Sequence, residues 1–223
     1  MFDAIAGRYD FLNHLLSAGI DRRWRRCAIA SLSLQDGERV LDLCTGTADL
    51  AIAASLARPS VRVVGIDFAA EMLRVGRAKL ARQRLGDAVA LVRGDAANVP
   101  VRDGSVDAVT MAFGIRNVER PEAACREMCR VLRPRGRLAI LEFAIPTTPG
   151  LRGAYLGYFK HVLPRIGRLV SRHGAAYGYL PASVTSFASP EEFSESLRRT
   201  GFEEVRAVPL TFGIVFLYTA RRA

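Results

Sequence analysis

Short apolar runs alternate with helix-spaced stretches through the middle of this chain. Arg39–Leu43 reads as a first strand followed by a helix over 47–57, and Val61–Ile66 as a second strand followed by a helix over about 69–84. A third run, Ala88–Arg93, ends at Gly94-Asp95-Ala96; a fourth, Val106–Ala112, ends in Phe113-Gly114-Ile115-Arg116-Asn117. Pro121 stands where the first turn of a helix tolerates it. That helix runs out near Leu132-Arg133-Pro134-Arg135-Gly136, before a fifth strand over 137–143. Strands alternating with helices of this length imply a parallel sheet.

Both ends depart from this rhythm. Residues 1–35 read as a helical arm, with Ile5, Tyr9, Leu12, Leu15 and Leu16 at helical spacing and Trp24 beyond a break at Gly19. Over 146–188, Pro146, Pro149, Pro164 and Pro181 punctuate a stretch that interleaves Tyr155, Tyr158, Phe159, Tyr177, Tyr179 and Phe187. This is read as a helical insertion and loop over the carboxyl edge of the sheet. Ser189-Pro190 caps and opens a helix over 190–200, which Gly201 ends. The last runs, 202–208 and 211–219, are separated only by Pro209-Leu210, so they form a hairpin whose last strand is antiparallel to its neighbour. The whole reads as a single domain over 1–223, long enough to bury a sizeable core.

Charge adds little by itself. Thirty-two basic against 22 acidic residues give +10, and Lys79 and Lys160 are the only lysines. Nucleic acid, anionic lipid headgroups and an arginine-rich proteome are all open explanations. Cys27, Cys44, Cys125 and Cys129 form no CxxC pair; buried thiols in a reducing cytosol, and no metal site, are expected. The N-terminus lacks the basic region and apolar block of a signal peptide. The uncharged run 207–220 is too short to span a bilayer. A cytoplasmic protein is expected, with peripheral contact at the inner face of the cell membrane as a further possibility.

The candidate chemistry lies in Asp42-Leu43-Cys44-Thr45-Gly46-Thr47-Ala48-Asp49 and in Asp67, the acid closing the second strand. An acid there can accept hydrogen bonds from ribose hydroxyls of a nucleoside-bearing cofactor. A dinucleotide site wants G-x-G-x-x-G to seat a pyrophosphate on a helix N-terminus. This turn has one glycine, Gly46, and places Asp42 just before it, where a carboxylate would repel a pyrophosphate and suit a cationic aminoacyl end. The charge favours S-adenosylmethionine over a nicotinamide dinucleotide. The terminal hairpin resembles the last strands of class I methyltransferases. Met72 and Leu73 follow where an apolar helix start could flank adenine, and Asp95-Ala96 stands where the adenine amino group could be met.

Met1-Phe2-Asp3-Ala4-Ile5-Ala6-Gly7-Arg8-Tyr9-Asp10, with Asn13, Leu16-Ser17 and Trp24-Arg25, resembles the opening of the ubiquinone/menaquinone biosynthesis C-methyltransferases. Phe113-Gly114-Ile115-Arg116-Asn117, the insertion motifs around Tyr158-Phe159-Lys160 and Tyr179-Leu180-Pro181, and Leu210-Thr211-Phe212-Gly213-Ile214 extend the likeness along essentially the whole chain. The resemblance implies an α/β class I S-adenosylmethionine-dependent fold: a Rossmann-like, seven-stranded sheet with an antiparallel last strand, an N-terminal arm and an insertion. It also implies C-methylation of a polyprenylated quinol. Cofactor contacts carry over to Thr47, Asp67 and Asp95-Ala96. The spelling Gly46-Thr47-Ala48-Asp49 resembles menaquinone-pathway members, which points to demethylmenaquinol as acceptor, with a benzoquinol of ubiquinone biosynthesis as the alternative. Where some members carry a cofactor-contacting Ser, this chain has Ala112.

On the acceptor side, Tyr9, Arg116 and Asn117 are expected to face the quinol oxygens, Arg116 stabilising a developing phenolate. Asp49 is expected to position a water or meet the methionine end. The insertion would line a groove for the isoprenoid tail, with Lys160, Arg165, Arg168 and Arg172 toward lipid headgroups. A homodimer is one option for the assembly. The rivals are a nucleic-acid methyltransferase, for which no appended module or flipped-base motif is visible, and a non-catalytic cofactor-binding scaffold.

Overall fold

The computed structural model describes residues 6, 17, 19–158 and 182–223. Tyr9, most of the N-terminal arm and the middle of the insertion lie outside these residues.

In chain order the elements are α1 (Asp21–Ser31), β1 (Arg39–Leu43), α2 (Asp49–Ala57), β2 (Arg62–Asp67), α3 (Ala70–Gln83), β3 (Val89–Arg93), β4 (Val106–Ala112), α4 (Pro121–Val131), β5 (Leu132–Phe143), α5 (Pro149–Gly157), α6 (Pro190–Arg199), β6 (Phe202–Leu210) and β7 (Val215–Arg222). They build a seven-stranded sheet in the order β3-β2-β1-β4-β5-β7-β6. The neighbouring pairs from β3 to β5 are parallel, and β7 runs antiparallel to both β5 and β6. The fold is that of class I S-adenosylmethionine-dependent methyltransferases.

The central strands are mostly apolar because both sheet faces are covered. Val40, Ala108, Ala139, Leu141 and Leu217 pack into one core with Trp24, Ala28 and Leu32 of the α1 region and Ala51 of α2. Their alternating neighbours Leu41, Val109, Met111, Leu138, Ile140 and Tyr218 pack into the other, with Cys125, Met128 and Val131 of α4 and Phe193 and Leu197 of α6.

Two boundaries differ from the sequence expectation. β5 begins at Leu132, five residues early, and its pairing with β4 shifts register between Val106 and Ala108, with Arg135 at φ 64°. The breaker-rich Arg133–Gly136 stretch is absorbed as an irregularity at the strand's start. The terminal hairpin turns at Thr211–Gly213, beyond Pro209-Leu210, and β7 starts at Val215. Pro209 is tolerated within β6 because β6 is an edge strand, where a missing N–H costs no ladder bond.

Ser189 caps α6 as expected: its hydroxyl accepts from the Glu192 N–H at 3.2 Å, and the Glu192 carboxylate accepts from the Ser189 N–H at 2.8 Å. Replacing Ser189 with Ala should cost about 1 kcal/mol, read as a lower urea midpoint at unchanged slope.

Candidate cofactor site

From β1 the chain winds outward through β2 and β3, then returns to β4 on the other side of β1. Turns diverge at that switch point and leave a crevice at the carboxyl ends of the strands. A cleft of about 370 Å³ lies there, lined by Cys44 and Gly46 after β1, Ile66–Ala69 after β2, Gly94–Ala97 after β3, Ala112–Gly114 after β4, Met72 of α3 and Asn117–Arg120.

Asp67 holds two of these turns together. One carboxylate oxygen accepts the Gly46 N–H at 2.7 Å and the other the Ala69 N–H at 2.8 Å. The β1 turn itself alternates into the left-handed region at Cys44, Gly46 and Ala48. The Thr45 N–H reaches the Ile66 carbonyl at 3.0 Å, lashing the turn to β2. Asp95 accepts from the Ala97 N–H at 2.8 Å at the far wall. Met72 is buried on the apolar wall, and Leu73, expected beside it, does not line the cleft. Phe68, directly after Asp67, is an aromatic wall the sequence reading missed: its ring is exposed, with the Arg93 guanidinium 5.5 Å from its centroid. Asp67, Asp95 and Glu119 outnumber Arg120, the single cation among the lining residues. Such a wall repels a pyrophosphate and attracts a cationic nucleoside.

Gly46, Asp67, Met72, Asp95, Ala96 and Asn117 thus meet at the cleft. Asp42, Thr47 and Asp49 line a smaller recess that shares Cys44, Gly46, Ala112 and Phe113 with it. Asp42 is fully buried, its two oxygens taken by the hydroxyls of Thr45 at 2.5 Å and Thr110 at 2.7 Å. Asp42 therefore presents no open carboxylate to the recess; the Thr45 hydroxyl stands in front of one of its oxygens. Burial pushes the Asp42 carboxyl up to about 6 against the pull of those hydroxyls. Asp49 is ion-paired to Lys79 of α3 and, at 3.5 Å, to Arg25 of α1, while the Lys79 ammonium also donates to the Thr47 hydroxyl at 3.2 Å. Asp49, expected to position a water or meet the methionine end, lines the recess and also pins the start of α2 to two helices. Its partners gave no sequence signal beyond the rarity of lysine.

The turn after β4 is built by close approach. A Cβ on Gly114 would lie 2.4 Å from the Cys44 Cβ, so only glycine lets the β4 and β1 turns touch. Phe113 is held at φ 59°, and its carbonyl accepts from Asn117 Nδ2 at 3.2 Å and Arg116 Nη1 at 2.9 Å. Its ring stacks on Phe143 at 4.5 Å, and Trp24 packs edge-on to both. Arg116 lines neither recess. Its guanidinium pairs at 2.5 Å with Glu142, a buried acid that sequence reasoning did not single out, although an acid in an otherwise apolar strand is a signal. Burial raises the Cys44 thiol far above its ordinary range, and Asp67 and Asp42 add to the shift, so this cleft-lining sulfur stays protonated.

Residues 1–222 match the ubiE/COQ5 methyltransferase family. The chain belongs to this family. It is 47% identical over 223 residues, 100% of this chain and 93% of the relative, to a protein of Syntrophotalea carbinolica named ubiquinone/menaquinone biosynthesis C-methyltransferase UbiE. A demethylmenaquinone methyltransferase of Deinococcus radiodurans is 48% identical over 219 residues, 98% of this chain and 89% of that one. Among solved structures, a SAM dependent methyltransferase of Aquifex aeolicus shares the fold with a TM-score of 0.65 at 20% identity, covering 89% of each chain. The [4+2]-cyclase SpnF shares it with a TM-score of 0.69 at 18% identity over 90% of this chain and 80% of that one, so the fold alone does not fix the reaction.

Asp42 binds its proton more tightly folded than unfolded, so the stability it contributes at low pH is lost as pH rises from about 4 to about 6. In the apo-protein, the stability difference between Asp42→Asn and the native chain should therefore grow across that window by on the order of 3 kcal/mol and flatten above it, followed by urea titration at stepped pH. Gly114→Ala should cost about 1–3 kcal/mol and weaken S-adenosylhomocysteine binding, read by thermal melts and calorimetry.

Proposed function

We propose that this family member transfers a methyl group from S-adenosylmethionine to a ring carbon of a polyprenylated quinol, with demethylmenaquinol as acceptor and menaquinol as product. The observation that carries the reading is the acid-lined cleft at the switch point, in a chain that matches the family from end to end. The demethylmenaquinone names of relatives at 48% and 40% identity support the naphthoquinol ring.

The residues present fit the cofactor. Asp67 would take the ribose hydroxyls, Phe68 and Met72 would flank the adenine, and Asp95 with the Ala96 backbone would meet its edge. The recess of Thr45, Gly46 and Thr47, backed by Asp42, would take the cationic methionine end. When bound, the cofactor supplies an electrophilic methyl on a sulfonium. The work left to the chain is to align the acceptor, exclude water and favour the phenolate, whose ring carbon is far more nucleophilic than the phenol's. Arg116 is the cation for that oxygen, with Asn117 at the rim of the cleft and Tyr9 of the arm in the same role. The insertion's basic residues Lys160, Arg165, Arg168 and Arg172 would face anionic lipid, and a homodimer is the assembly we expect. Among the described residues no helix is long and apolar enough to cross a membrane.

Purified protein given S-adenosylmethionine and reduced demethylmenaquinone should yield menaquinol by mass spectrometry, with a polyprenylated benzoquinol that lacks the ring methyl turned over more slowly. Methylation of neither would sink the reading. Asp67→Ala should weaken S-adenosylhomocysteine binding about 10–100-fold by calorimetry, since a charged acceptor of hydrogen bonds is lost. Sedimentation with anionic vesicles tests the membrane contact, and analytical ultracentrifugation tests the dimer.

A further inference from the structure

Glu142 is the only carboxylate on β5 and is 0% exposed at the carboxyl end of the strand. A charge so placed is tolerated only if fully paired. One oxygen accepts from Arg116 Nη1 at 2.5 Å and from the Phe143 N–H at 2.8 Å; the other accepts from the Arg116 N–H at 3.3 Å. The same residue is thus held by its backbone and by its side chain.

The arginine is held at further points. Nη1 also donates to the Phe113 carbonyl, Nε donates to the Ser183 hydroxyl at 3.3 Å, and the guanidinium carbon lies 5.4 Å from the Phe143 ring centroid. Ser183 belongs to the helical segment over 182–186, near the end of the insertion. A guanidinium is rigid and planar, so fixing Nη1 and Nε fixes the direction of Nη2 as well. Nη2 has no hydrogen-bond partner among the described residues, although the side chain is only 7% exposed. The pair therefore leaves one pre-aimed donor group at the seam between the sheet edge and its cover. Stability alone is a poor reason for a buried pair, since apolar residues of similar volume do as well.

We propose that Glu142 is a positioning residue of the methyl transfer: it clamps Arg116 by Nη1 so that Nη2 is presented to the acceptor oxygen. This rests on the reading of Arg116 as the acceptor-side cation. Glu142 touches no reactant and acts through the arginine.

A double-mutant cycle with E142Q and R116Q tests this, with kcat, both KM values, S-adenosylhomocysteine affinity and the fluorescence of Trp24, the chain's single tryptophan, as readouts. E142Q should lower kcat on the order of 10²-fold, because a misplaced group costs about that much, with S-adenosylhomocysteine affinity within about twofold of native. In the R116Q background it should lower kcat less than about twofold further, since the two residues act as one unit. With the guanidinium no longer held at the acceptor oxygen the phenol is less acidic, so the ascending limb of the kcat pH profile should move up by about one unit in E142Q. A structural role would scale the profile without moving it, and an unmoved limb overturns the proposal. So does an E142Q loss that multiplies that of R116Q, or one that matches a parallel loss of S-adenosylhomocysteine binding and a shifted Trp24 emission.

If E142Q does not fold, R116K replaces it. An ammonium paired to Glu142 cannot also present a second fixed donor, so kcat should fall as in R116Q, and native kcat would overturn the proposal. The two readings fail separately. R116Q at native turnover removes Arg116 from the acceptor side and the proposal with it, whereas an impaired R116Q beside a fully active E142Q overturns the Glu142 role alone.

Discussion

Three carboxylates stand toward the carboxyl ends of the central strands, Asp42 in β1, Asp67 closing β2 and Glu142 near the end of β5, and the carboxyl edge of the sheet is organised by how each is satisfied. A low-dielectric interior penalises an unpaired charge heavily, so every one of them recruits donors. Asp67 draws two backbone N–H groups and so fixes the turn after β1 against the turn after β2. Asp42 takes two threonine hydroxyls, one from its own turn and one from β4, and joins the strands at the switch point. Glu142 takes the Arg116 side chain and N–H together and fixes the turn after β4. The crevice is the space left when these three turns are held apart.

Much of this was legible in the sequence. Apolar runs of strand length bounded by acids and glycines marked β1 to β4 with little error, most clearly in β1 and β4, where burial on both faces leaves few polar alternatives. Asp67 and Asp95 could be placed because a residue that ends a strand is set by local pattern. The misreadings share a cause. β5 reaches back through Pro134 and Gly136, and β6 runs through Pro209, because tertiary pairing and an edge position override local breaker chemistry. The Asp49 clasp joins residues 24 and 30 positions apart, and the Glu142 pair joins residues 26 apart. Spacing rules carry no information at that range. A lone acid inside an apolar strand signals that a partner exists, and does not say which of many arginines it is.

Part of the arginine excess is committed to pairs inside the fold. Arg130 binds Glu127 at 2.7 Å and Asp103 at 2.5 Å, and donates to the carbonyls of Val99 and Val101, so one fork ties α4 to the loop between β3 and β4. Arg137 does the same for Glu38 and the carbonyls after α1. A planar cation with five donors can satisfy loop carbonyls and acids at once, which a lysine cannot. Part of the charge that suggested an anionic partner is therefore internal fastening.

Phe113 carries the two halves of the site on one residue. It lines both recesses, its ring packs with Trp24 and Phe143, and its carbonyl accepts from Asn117, which lines the cleft, and from Arg116, which does not. Its left-handed backbone is an unfavourable state for a bulky residue and persists because these contacts over-determine it. The cleft-lining turn and the Arg116–Glu142 pair are thus joined through a single strained peptide, with Glu142 as the fixed point against which that peptide is held.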